Sequence, residues 1–342
     1  MTTRCRGSSA IASWRMILRP CMCLLAFAFL CATSVQGGPP GRGTKPVTWH
    51  PEDYDAGLQV VRDPLPHETV LRANVPDSFD WGNVKGLSFL TRVGNQMLPR
   101  GCGSCWAFST AGSVSDRIKI GTYAATGRLP TDVNLAVQAL LDCGAANSTI
   151  GGCHGGSAQN AFSFMHDHGI PDETCAPYVA AAPGWWSEED CWDTLCRVCD
   201  RHGNCRVTND GKMHRVGDFG LILPSGSGDD DDMVFRMQAE IMQRGPIVCG
   251  MYAHSSSFDD YLPANMGNYT DSVIVDSQKY DGITHDIELV GWGVSEGSQI
   301  PYWIGKNSYG TRWGLEGFFR IQRGANTLNI EEVCHWAVPL MD

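Results

Sequence analysis

Along WAFSTAGSVSDRIKIG the apolar residues Trp106, Ala107, Ala111, Val114, Ile118 and Ile120 recur at helical spacing, which predicts a buried helix ending at Gly121. A second helix ends near His166-Asp167-His168, with Gly169 as its left-handed cap and Pro171 as the stop. The run GDDDDM reads as a solvated acidic loop leading into a helix. Further on the period changes. IELV, within THDIELVGWG, predicts a strand ending in glycines. YWIGKNSYGTRWGLEGFFRI then predicts a strand, a turn and another strand. Near the start, Arg4, Arg6, Arg15 and Arg19 precede the apolar run from Cys21 to Ala32, and small residues follow. That order predicts a secretory signal peptide over residues 1–37, with an apolar run too short to span a membrane comfortably.

Composition narrows the class. The chain has 342 residues, 43% hydrophobic and 18% charged, enough to bury one large core or two modest ones. Net charge is -11 and no basic patch stands out, which excludes nucleic acid as a partner. Four of the 15 cysteines lie in the leader, leaving eleven: Cys102, Cys105, Cys143, Cys153, Cys175, Cys191, Cys196, Cys199, Cys205, Cys249 and Cys334. An odd number in an oxidising compartment predicts five bridges and one free thiol. The sequons at Asn147 and Asn268 are candidate glycosylation sites and fit secretion. Cys196, Cys199, His202 and Cys205 also have metal-ligand spacing, but in a secreted chain disulfides are the favoured reading. No metal site, cofactor, repeat or phosphate loop is expected.

Cys105 is the cysteine to suspect. Gly101, Gly103 and Ser104 make a turn-prone lead, so Cys105 falls at the start of the buried helix. Unpaired backbone N–H groups and the helix dipole favour a thiolate there, and the thiolate is the nucleophile. Such a nucleophile needs a base and a group to orient it. His285 opens the IELV strand and Asn307 sits at the turn after the next one. If the two strands pair, the asparagine carboxamide accepts from Nδ1 of His285.

Glutamine, then CGSCW, CxGG, a histidine before a GWG strand, and NSxGxxWGxxG together resemble the papain-like cysteine proteases, over about residue 75 to the end. The resemblance implies an α+β fold in two lobes, a helical lobe at 75–205 and a β-barrel-like lobe at 206–342, with a peptide-binding cleft between them. It makes Cys105 the nucleophile, His285 its general base and acid, Asn307 the orienter and Gln96 the oxyanion donor beside the Cys105 N–H. Gly155 and Gly156 resemble the strip that bonds an extended substrate backbone. Gln96 lies nine residues before Cys105, where most of the family has six, and that insertion marks the cathepsin X (or Z) branch. The branch implies bridges Cys102–Cys153, Cys143–Cys191, Cys175–Cys196, Cys199–Cys205 and Cys249–Cys334. It also implies a short propeptide, residues 38–74, and a peptidase domain over 75–342.

The insertion here is Met97-Leu98-Pro99, where the branch carries a histidine that holds the substrate's C-terminal carboxylate. Methionine has no donor for a carboxylate. Arg100 is either the replacement or a solvated surface residue. Carboxypeptidase activity is thereby in question and peptidase activity is not. The predicted propeptide has no cysteine, so any latency is non-covalent. Asp286 takes a position that is small or apolar in the family, near the S2 pocket. It either selects a basic substrate side chain or raises the imidazolium pKa, or else it pairs with Glu288 at a strand edge. Tyr309 replaces a tryptophan and keeps an aromatic ring over the His–Asn contact. Expected partners are peptide or protein substrates and cystatin-type inhibitors, with no membrane after leader removal. A monomer in a lysosome-like compartment or outside the cell is expected. A non-catalytic binding protein on the same scaffold is the rival reading, and the intact Cys105, His285, Asn307 and Gln96 argue against it.

Overall fold

The computed structural model describes residues 48–146, 150–182, 196–207, 212–223, 230–261 and 272–341. The leader expected over residues 1–37, Asn147, Cys191 and Asn268 lie outside these residues. Four longer helices are present among them: α1 (Cys105–Thr126), α2 (Val137–Ala146), α3 (Ala158–Asp167) and α4 (Asp230–Arg244). The strands are β1 (Phe79–Asp80), β2 (Gly151–Gly152), β3 (Gly155–Gly156), β4 (Arg197–Cys199), β5 (Cys205–Val207), β6 (Val216–Ile222), β7 (Ile247–Met251), β8 (Val273–Ile274), β9 (His285–Val294), β10 (Pro301–Lys306), β11 (Phe318–Gln322) and β12 (Cys334–Pro339).

An eight-stranded sheet runs in the order β6-β12-β7-β9-β10-β11-β8, with β1 joined to β9. Only β8 against β11 is parallel. Two apolar cores form. The first gathers Trp106, Val114, Leu140, Leu141, Phe162 and Met165 from α1, α2 and α3. The second gathers Trp292, Trp303, Trp336 and Phe319 from the sheet with Phe258 and Met237. Each such side chain contributes roughly 1.5–3 kcal/mol by leaving water.

Two local expectations need correction. The helix that opens at Cys105 does not stop at Gly121. It runs on to Thr126, and Gly127 caps it in the left-handed conformation (φ 68°) with its N–H on the Tyr123 carbonyl. At Gly121 an added Cβ would lie 3.2 Å from the Met341 side chain, so the helix passes close under the C-terminal segment. The IELV strand does not end at its glycines either. Gly291 pairs with Asp80 of β1, and its missing side chain admits the Phe79 carbonyl, 2.2 Å from where a Cβ would be. Gly169 does cap α3 (φ 77°), with its N–H on the Met165 carbonyl.

Disulfides join Cys102 to Cys153, Cys175 to Cys196 and Cys249 to Cys334. Cys143 is also disulfide-bonded, and its expected partner lies outside the described residues. Cys199 and Cys205 face each other across β4 and β5, though their side chains are not among those described. Residues ahead of Val75 run across the molecule rather than away from it. Trp49 exchanges both backbone hydrogen bonds with Ile283, Val60 does so with Phe219, and Gln159 holds the backbone at Asp55 and Leu58.

Candidate active site

Cys105 is the first residue of α1 and the free cysteine among the described residues. The backbone amides of Asp286, Trp106 and Cys105 itself favour the thiolate. Burial pushes the thiol up to about 12, and the Asp286 carboxylate adds to that. His285, only 4% exposed, opens β9. Its Nε2 lies 2.9 Å from Oδ1 of Asn307. The sequence reading assigned this bond to Nδ1, and the structure reverses it, which leaves Nδ1 for another partner. Burial lowers His285 to about 4, against the Asn307 bond, which raises it. Both shifts favour the neutral thiol and the neutral imidazole. The Tyr309 ring lies 5.1 Å from the His285 ring, over the bond to Asn307.

Asn307 follows β10, which pairs antiparallel with β9. A register shift between Ile304 and Gly305 brings Asn307 round to His285. Beneath it lies a buried ionic knot. Lys306 Nζ sits 2.9 Å from Asp116 of α1 and 3.3 Å from Glu288 of β9. Asp116 also accepts from the Thr91 N–H at 2.6 Å. Burial alone pulls Lys306 down, but the two carboxylates outweigh it and raise its pKa. Glu288 is thus neither a surface carboxylate nor a partner of Asp286. It clamps the strand that bears the histidine to the helix that bears the cysteine. Asp286 is buried as well, with Oδ1 unpartnered among the described residues, and burial raises it to about 7.

Gln96 is held on every side. Its N–H donates to the Ser308 carbonyl (2.8 Å), its Oε1 accepts from Ser308 Oγ (2.6 Å), and its Nε2 donates to the Cys102 carbonyl (3.0 Å). Gly155 and Gly156 form β3 against β2. A Cβ at Gly156 would lie 2.5 Å from the Trp106 ring, so only glycine lets this strip pack on α1. The Met97 N–H donates to the Asn95 side chain, Leu98 is 62% exposed, and Arg100 is exposed with no carboxylate partner among the described residues. One residue ahead of Val75 also reaches the site. The Tyr54 ring packs 5.0 Å from that of His335, and burial, with the nearby Asp286 carboxyl, pushes its phenol up. Tyr54, His335, Ser308 and Lys306 were not singled out from the sequence. Only Ser308, inside the NSYG motif, carried a signal there.

No group of three or more metal-ligating side chains occurs among the described residues. None of their helices is long and apolar enough to cross a membrane. The model of the papain family cysteine proteases matches residues 75–338. The chain is 34% identical over 277 residues to cathepsin Z of Onchocerca volvulus, covering 78% of this chain and 79% of that one. It is 31% identical over 270 residues to pro-cathepsin H of Bos taurus, covering 78% and 65%. Among solved structures, procathepsin L2 from Tenebrio molitor larval midgut aligns with TM-score 0.57 and 26% identity over 82% of this chain and 73% of that one. A procathepsin B from Trypanosoma congolense aligns with TM-score 0.57 over 86% of each chain, at 24% identity, and speaks for the fold alone.

Proposed function

Because the chain belongs to the papain family of cysteine proteases, we propose that Cys105, His285 and Asn307 are its catalytic triad and Gln96 its oxyanion donor. The observation that carries this is the 2.9 Å bond between His285 Nε2 and Asn307 Oδ1, on a strand whose next residue, Asp286, acts electrostatically on the Cys105 thiol. Asn307 fixes the ring and leaves Nδ1 to take the thiol proton. The thiolate attacks the scissile carbonyl, and the oxyanion is met by the Cys105 N–H and the Gln96 carboxamide. His285 then protonates the leaving amine, and water clears the thioester. Residues 38–74 act as a propeptide. Tyr54, packed on His335, acts electrostatically with Asp286 and Cys105, and this segment favours the neutral forms of the pair. Its removal rehydrates the cleft and lets the ion pair form. The three disulfides suit the secretory route, to an acidic compartment or to the outside.

The inserted loop decides how the enzyme cuts. Met97 offers no donor, and Arg100 is the one cation beside it, exposed and unpaired with any carboxylate among the described residues. The test uses processed enzyme at about pH 5 on one peptide with either a free or an amidated C-terminus, followed by mass spectrometry. Stepwise loss of single residues from the free acid alone makes it a carboxypeptidase with Arg100 as the carboxylate ligand. Equal or internal cleavage of both forms makes it an endopeptidase. No cleavage of either, with Cys105 unlabelled by a thiol-reactive epoxide, overturns the peptidase reading in favour of a binding protein.

A further inference from the structure

We propose that Tyr178 is a positioning residue that sets the spacing of the two oxyanion donors. The inference rests on the oxyanion role given to Gln96 above. Tyr178 stands in the segment after α3, at sequence distances of 82 from Gln96 and 74 from Ser104. Its hydroxyl donates to the Gln96 backbone carbonyl at 3.1 Å and lies 2.8 Å from Ser104 Oγ. A phenol has one proton, and the Gln96 carbonyl can only accept. The Tyr178 proton therefore goes to Gln96, and Ser104 Oγ is the donor to Tyr178. A directed chain results, from Ser104 through Tyr178 to Gln96.

Both ends of that chain matter. The peptide bond after Ser104 carries the Cys105 N–H, one oxyanion donor. Gln96 carries the other on Nε2. Of its two Nε2 hydrogens, one is taken by the Cys102 carbonyl, and the second is left for the oxyanion. The Gln96 N–H and Oε1 are fixed from Ser308, so Ser308 holds the glutamine to the Asn307 turn. Tyr178 spans from the glutamine's main chain to the Ser104 side chain, alongside the Cys102 carbonyl, which accepts from Gln96 Nε2 and from the Ser104 N–H. The Tyr178 ring is seated edge-on against Phe108 of α1, centroids 4.8 Å apart, so the phenol is aimed from the nucleophile's helix.

The need for such a strut follows from the insertion. Cys105 lies nine positions after Gln96, and the tether carries an exposed Leu98-Pro99-Arg100. A longer tether fixes its ends less well, and oxyanion donors lose effect when displaced by fractions of an ångström. A hydroxyl clamping both ends restores the spacing that the covalent path does not.

The test is Tyr178→Phe, which keeps the ring against Phe108 and removes both hydrogen bonds. In processed enzyme, kcat on a peptide substrate falls about tenfold while KM stays within about twofold. The pH profile of Cys105 alkylation by iodoacetamide is unchanged, because alkylation builds no oxyanion. Adding Tyr178→Phe to Gln96→Ala costs nothing beyond Gln96→Ala alone. Parental kcat in Tyr178→Phe, a shifted alkylation profile, or losses that multiply in the double variant overturn the proposal. Should Tyr178→Phe fail to fold, Ser104→Ala cuts the same chain from its other end. It is expected to lower kcat about threefold and to be equally silent in the Gln96→Ala background. Peptide cleavage that survives alkylation of Cys105 is a separate result, and it overturns the peptidase reading itself.

Discussion

Strands β9 and β12 each bury a histidine in the same sheet, in different surroundings. His285 is 4% exposed and lies 2.9 Å from Asn307. His335 is 1% exposed, and neither ring nitrogen has a partner among the described residues. Burial drives both below the ordinary imidazole range, to about 4 and about 3. Burial therefore does not distinguish a catalytic histidine from a packed one. What distinguishes them is a hydrogen bond that orients the ring and favours its charged form, together with a nucleophile on the neighbouring helix. At His335 the space beside the ring is filled by Tyr54, which offers an aromatic face.

The largest expected effect comes from erasing that difference. Asn307→Ala leaves His285 as unpartnered as His335. Its kcat should fall about 100-fold at acid pH, with KM changed little, since the asparagine acts on the proton-transfer step and does not grip substrate. Steady-state kinetics on the processed enzyme read this directly. Parental kcat would break the comparison, because the bond to Asn307 would then do nothing for catalysis.

Cys105 was legible because bridges consume cysteines in pairs, so an odd count exposes the free one. The helix start, the paired strands and Asn307 were legible because hydrophobic period and turn residues act locally. The failures all involve partners distant in sequence. Gly121 reads as a stop, yet the helix passes on under Met341. The histidine nitrogen that faces Asn307 depends on the orientation of the ring in the folded site, which no residue type announces. Glu288 reads as a surface carboxylate until Lys306 and Asp116 arrive from two other elements. Tyr178 has no motif at all, since its role lies in two contacts more than 70 residues away.

His335→Leu tests the other side of the comparison. The folded chain holds His335 near 3 against an ordinary 6.5, so below pH 6.5 the unfolded chain takes up a proton that the folded chain refuses. Stability is lost progressively as pH falls from 6.5 toward 3. At pH 5 the loss is about 2 kcal/mol. Removing the imidazole should recover that amount at pH 5 and leave the pH 8 value little changed. Urea unfolding of parent and variant at both pH values decides it. A difference that does not grow toward acid would mean that His335 is charged and partnered in the fold.

Asp286→Asn should show the opposite slope and a smaller effect at pH 5. The folded chain holds this carboxyl near 7 against an ordinary 3.8, because burial penalises the anion. Above pH 3.8 the unfolded chain ionises while the folded chain does not, and stability falls as pH rises toward 7. At pH 5 the variant should gain about 1.5 kcal/mol over the parent, less the offset of burying an amide, and the gain should vanish near pH 3.5. A kinetic consequence accompanies it. The ionised Asp286 raises the Cys105 thiol, so the variant's alkylation profile should move to lower pH. Equal pH slopes in parent and variant would place Asp286 in water and remove it from both accounts. Opposite slopes at His335 and Asp286 would show that the cleft buries one group of each charge type beside the nucleophile's cover, each costing stability at its own end of the pH range.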